Sequence, residues 1–90
     1  MREQLTDAEI IARLDRALRR MPRIRREIFL AVRLDDMSYP EIAERTGLSV
    51  RQVEQQFAKG FMQLDAALRG RAPMSRWRRL FRWISGKGRG

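Results

Sequence analysis

Three glutamines, Gln52, Gln55 and Gln56, stand with Arg51 and Lys59 inside a repeat of apolar residues. A glutamine amide offers one acceptor and two donors, which matches the N6/N7 edge of adenine in a major groove. A good bidentate pair of this kind contributes about 1–3 kcal/mol of discrimination. Arginine and lysine suit phosphate oxygens or the guanine edge. At roughly 100° per residue, Val50, Val53, Phe57, Phe61, Leu64 and Leu68 fall in one arc, with the five polar residues on the opposite side. Glu54 falls near the edge of the apolar stripe and is not expected to point at bases. Recognition of an ordered polyanion by one helix face is the chemistry these residue types support. The plain alternative for each glutamine is a solvated position.

Residues 38–53 supply the elements that would hold such a face. Ser38 and Glu41 have the spacing of a capping box, in which each side chain satisfies a backbone N–H orphaned at a helix start. Met37 and Ile42 can close a hydrophobic staple around it. Gly47 falls where a left-handed residue would end this short helix without a Cβ penalty. Ser49 and Gln52 repeat the capping box, with Leu48 and Val53 as staple, so a second helix must start at about Val50 and run to about Leu68. Ala43 is small where the two helices would cross, and Val53 is apolar where the second faces the first. The pattern is that of a helix-turn-helix, whose second helix can occupy the major groove.

The chain has 90 residues, no cysteine and no histidine. Disulfides, zinc sites and the usual base–nucleophile pairs are therefore not available. Asp35 and Asp36 could meet a cation, but no third ligand lies nearby, and a solvated turn is the better reading. No enzyme and no cofactor are expected. No run approaches membrane-spanning length, Met1-Arg2-Glu3-Gln4 is no signal segment, and the composition is compatible with a reducing cytoplasm, the expected location.

Thr6 and Glu9 form a further capping box, stapled by Leu5 and Ile10, before a stripe of Ile10, Ile11, Leu14, Ala17, Leu18 and Met21. Pro22 opens a second helix to about residue 34, whose run Ile28-Phe29-Leu30-Ala31-Val32 is expected to be the most buried. The predicted fold is all-α: a four-helix domain over residues 1–70 with its helix-turn-helix at the C-terminal end. Gly70 should stop the fourth helix, and Gly70-Arg71-Ala72-Pro73 reads as a hinge into a basic tail, 71–90. Residues 1–65 hold 12 basic and 11 acidic groups, whereas 66–90 hold 8 basic and none acidic. The tail thus carries most of the net charge of +9 and would attract polyanions. Within it Trp77, Leu80, Phe81 and Ile84 share a stripe that could bind a partner, while Arg76, Arg78, Arg79 and Arg82 could meet a DNA backbone or the same partner. A short fifth amphipathic helix laid against the domain is the other reading, and membrane contact is the least favoured.

From Met21 to Leu68 the chain resembles region 4 of a bacterial sigma-70-type transcription factor of the extracytoplasmic-function group. The likeness rests on Pro22, Arg26, Glu27, Phe29, Leu30, Ser38-Tyr39, Glu41-Ile42-Ala43-Glu44, Gly47-Leu48-Ser49-Val50, Val53, Leu64 and Leu68. The stretch Val53–Lys59 is similar to the branch serving iron-siderophore uptake. The resemblance implies a DNA-binding domain that reads a promoter −35 element through its second motif helix. It also implies that the first two helices meet the β flap of RNA polymerase, and that an anti-sigma factor competes for the same surfaces. The region that grips core polymerase and melts the −10 element is absent, so a fragment or a stand-alone region 4 protein is implied. The start at Met1 and the added tail favour the latter. Gln55 and Gln56 replace residues that are commonly basic in the family, and Arg51 and Lys59 against Glu54 and Asp65 leave the long helix neutral. That neutrality motivates a second expectation, a sigma-mimicking module that binds an anti-sigma factor or the flap with little DNA binding. A response-regulator output domain shares the motif but fits Pro22–Leu30 less well.

Overall fold

A computed structural model describes residues 4–73 and 75–81 of the chain. They are all-helical, with no strand among them: α1 (Asp7–Arg20), α2 (Arg23–Leu34), α3 (Tyr39–Thr46), α4 (Val50–Leu68) and a further helix, α5, over 75–81. The predicted fold class is the one found, with the fifth helix present. Its contacts group the chain into two compact units, one of residues 21–62 and one of the segments up to Arg20 and from Gln63 onward. No described helix is long and apolar enough to cross a membrane.

Each helix start follows from local hydrogen bonding. The Thr6 backbone N–H donates to Glu9 Oε1 at 2.8 Å and the Glu9 N–H to Thr6 Oγ1 at 3.1 Å. Leu5 and Ile10, the flanking staple, are both buried. Pro22 caps α2 without a side-chain bond, a position where its missing N–H costs nothing. At the other end of α2, Asp36 takes a left-handed φ of 53°, which aspartate tolerates better than most residues, and Met37 N–H then donates to Ala31 O at 3.1 Å. The aspartate pair is therefore a turn, and no cluster suited to a metal occurs among the described residues.

In the 21–62 unit, Ile28 of α2, Ile42 of α3 and Val53 of α4 form the buried centre, with Met37, Tyr39, Ala43, Leu48 and Phe57 packed around them. Full burial of such aliphatic side chains contributes about 1.5–3 kcal/mol each. Phe29 and Phe57 stack with centroids 4.9 Å apart and planes inclined by 15°. Gly60, buried in α4, is where the helix presses on that stack: a Cβ there would stand 3.1 Å from Phe29 Cδ1. Two expectations need correcting. The run in α2 is buried only at Ile28 and Phe29; Leu30, Ala31 and Val32 are half-buried, with Ala31 and Val32 packed against the cluster as its partly buried rim. Val50, the first residue of α4, is 40 % exposed rather than core.

In the other unit, Ile10, Leu14 and Leu18 of α1, Leu64 and Leu68 of α4, and Ala72, Trp77, Leu80 and Phe81 are buried. The link after α4 turns through left-handed Arg69 and Gly70, as the glycine predicted. It is tied down rather than a free hinge. Leu5 N–H donates to Arg71 O at 3.0 Å, and Arg13 Nη1 donates to Ala67 O at 3.1 Å. Arg76 clasps Asp7 Oδ1 at 2.7 Å through Nη2 and at 3.1 Å through Nε, joining α5 to the first turn of α1.

Candidate nucleic-acid interface

The helix-turn-helix is built as its spacing dictates. Ser38 N–H donates to Glu41 Oε1 at 2.9 Å and Glu41 N–H to Ser38 Oγ at 3.2 Å, fixing the start of α3. The Ser38 backbone N–H, then its hydroxyl, and lastly the charge of Arg45 hold the Glu41 carboxyl below its ordinary value. Gly47 ends α3 at φ 81° and ψ 4°, and its N–H donates to Ala43 O. Ser49 N–H then donates to Gln52 Oε1 at 2.8 Å, and Gln52 N–H to Ser49 Oγ at 3.0 Å, fixing the start of α4. Val53 is a buried member of the apolar cluster shared by α2, α3 and α4, and the small Ala43 packs against that cluster.

This frame sorts the five polar residues of α4 into two groups. Arg51, Gln55 and Lys59 are exposed and make no side-chain hydrogen bond or ion pair among the described residues. They stand at i, i+4 and i+8, one solvent-facing row opposite Val53 and Leu64. Gln52 is exposed as well, but its amide oxygen is held by the cap. A bidentate contact to adenine would need that oxygen and would open the start of α4. Gln56 departs from expectation: it is half-buried, and its Oε1 accepts from Arg25 Nε of α2 at 2.9 Å. It sits on the flank of the helix, not opposite the core. Glu54 is exposed. Arg25 is the residue that sequence reasoning missed, because a bond spanning 31 positions leaves no periodic trace.

The basic residues of the tail divide likewise. Arg78 and Arg79 are exposed on α5, whereas Arg76 is engaged by Asp7. Trp77, Leu80 and Phe81 are buried, which makes this stripe core in the present arrangement and not a surface offered to a partner. Arg82 and Ile84 lie outside the described residues.

The capped α3, the Gly47 turn and the capped α4 have the form of a helix-turn-helix, a motif whose second helix can occupy a DNA major groove. The family model for Sigma-70, region 4 matches residues 11–64. The chain belongs to that family, whose members are regulatory domains of transcription, not enzymes, with DNA binding, promoter recognition and contact with RNA polymerase as their family-level roles. Comparisons with curated proteins and with solved structures returned no match.

Proposed function

We propose that this chain reads a −35-like promoter element by laying the first turns of α4 in the major groove. Gln55 reads a base edge, and Arg51 and Lys59 meet phosphate or guanine. Gln52 contributes its free amide nitrogen, and Gln56 acts chiefly by fixing the helix against Arg25. The observation that carries this reading is the solvent-exposed row Arg51–Gln55–Lys59 on a helix whose start is capped on both Ser49 and Gln52. Arg78 and Arg79, with Arg82, add phosphate contacts, each neutralised phosphate steepening the salt slope by about 0.9. The β flap of RNA polymerase is the protein partner, an anti-sigma factor its competitor, and the cytoplasm the compartment. The Val53–Lys59 stretch supports the iron-siderophore branch of the extracytoplasmic-function group.

Selection from random duplexes, followed by gel-shift titration, tests the proposal. Enrichment of one motif bound selectively below micromolar concentration is expected, and failure of any motif to enrich overturns it. The neutral charge of α4 and the engaged oxygens of Gln52 and Gln56 favour one rival, the sigma-mimicking module. Capture of polymerase or an anti-sigma factor without DNA affinity would decide for the rival.

A further inference from the structure

A cleft of about 400 Å³ opens between α1 and the end of α4, with its whole lining inside one compact unit. Arg13, Arg16 and Arg20 project into it from α1, with Ala17 between them; Ala67 of α4 and Arg69 just beyond close the other wall. The α1 positions are i, i+3, i+4 and i+7, one face of a helix, so three guanidinium groups line up over about 10 Å. No acidic residue lines the cleft, leaving four positive charges facing one small volume. Arg13 donates one bond to Ala67 O. Arg16, Arg20 and Arg69 form no side-chain hydrogen bond or ion pair among the described residues.

We infer that this cleft is a binding site for a linear polyphosphate, a chain of two or more linked phosphates. Planar guanidinium groups bind phosphate oxygens in bidentate pairs, and four of them match the charge of a chain of about three phosphates. The volume is that of a small-ligand pocket, within the usual span of about 300–1,000 Å³. Alanines on both walls let a ligand approach closely, and no aromatic side chain is present on which a base could stack. The phosphates therefore carry recognition, whether they come as a free chain or as the tail of a nucleotide. The row on α4 proposed to meet DNA, residues 51–59, contributes nothing to this lining, so the two sites are separate in sequence and in residues.

Titration calorimetry with tripolyphosphate at about 0.15 M salt tests the site, a strength at which diffuse surface attraction is screened. Arg16→Gln with Arg20→Gln is the cleft variant; both side chains are exposed and unbonded, and a melting curve checks that the fold is kept. Arg23→Gln with Arg45→Gln removes the same charge elsewhere on the surface. Saturable one-to-one binding is expected, weakened at least about tenfold in the cleft variant and less than about twofold in the control, as charge-assisted pairs would require. A nucleoside triphosphate run in parallel separates the two sources: equal affinity assigns the free chain, and tighter binding the nucleotide. Equal weakening by both variants, absence of saturation, tighter binding of an acidic peptide, or loss of duplex-DNA affinity in the cleft variant without any tripolyphosphate binding would each overturn the inference.

Discussion

Arg25 Nε donates to Gln56 Oε1 across 2.9 Å, bonding α2 to a glutamine that helix periodicity alone assigns to the open face of α4. One hydrogen bond thus separates two neighbouring glutamines into a tether and a free amide. Gln56→Ala should lower stability by about 0.5–1.5 kcal/mol, the ordinary net value of such a bond, with little change in which bases are preferred. Gln55→Ala should leave the melting temperature unchanged and relax discrimination at one base pair by about 1–3 kcal/mol. Thermal melts paired with competition binding against single-base variants of the selected site would reveal a reversal of these roles.

Gly60 is predicted to resist enlargement. Its would-be Cβ meets Phe29 Cδ1 at 3.1 Å, and that ring is itself buried against Phe57. Gly60→Leu should therefore cost about 1–3 kcal/mol through overpacking, despite the better helix propensity of leucine. Denaturant titration showing a variant as stable as the parent would mean that α4 does not press on the stack.

At Gly47 the outcome depends on the backbone alone, because no atom lies within 4 Å of an added Cβ while φ is 81°. Gly47→Val is expected to lose about 1–2 kcal/mol, and Gly47→Asn distinctly less, since asparagine visits the left-handed region. Equal melting temperatures for the two variants would refute a purely conformational origin.

Stability should fall in mild acid for a local reason. The Thr6 backbone N–H above all, with its hydroxyl and the charges of Arg71 and Arg13, holds Glu9 below its ordinary 4.5, as Ser38 does Glu41. Between 4.5 and these lower folded values the unfolded chain binds more protons, so stability rises with pH across that window. The contribution is complete above 4.5 and disappears as pH drops through the folded values. Glu9→Gln with Glu41→Gln keeps both caps, because glutamine can accept the same backbone bond, but removes the titration. Melting curves should show a shallower acid slope in the double variant than in the parent.

Trp77 is 1 % exposed, and Trp77→Ala should cost about 3–5 kcal/mol. Deleting 71–90 would remove this core residue along with the charges, so salt dependence is better read from Arg78→Gln with Arg79→Gln. That pair should lower the salt slope of DNA binding by roughly 1.8 if both meet phosphate. A slope equal to the parent's would remove α5 from the interface.

What was legible in the sequence was mostly local. All three capping boxes, the glycine turn and the bounds of α4 depend on residues three or four apart, and each formed as spaced. The apolar arc of α4 predicted Val53, Leu64 and Leu68 as core but could not register Gly60, whose contribution to packing is a missing side chain. Val50 shares their angle, yet at the first position of the helix it is 40 % exposed. Of the candidate readers, Gln56 was misplaced because its partner is 31 residues away. The stripe from Trp77 to Phe81 fitted both core and partner surface, since amphipathicity says that a face is covered and not by what.

The hydrogen bond from Leu5 to Arg71 implies an order of assembly on the ribosome. Residues 21–62 form one compact unit, and the contacts within it involve no residue later than Met62. The first helix shares its unit with Leu64 and Leu68, but the cover given by Trp77, Leu80 and Phe81 comes only once those residues have been synthesised, so until then part of its apolar face is open to chaperones. Closing that unit across the intervening chain adds a loop entropy that grows only slowly with length, so timing rather than free energy is what this connectivity governs.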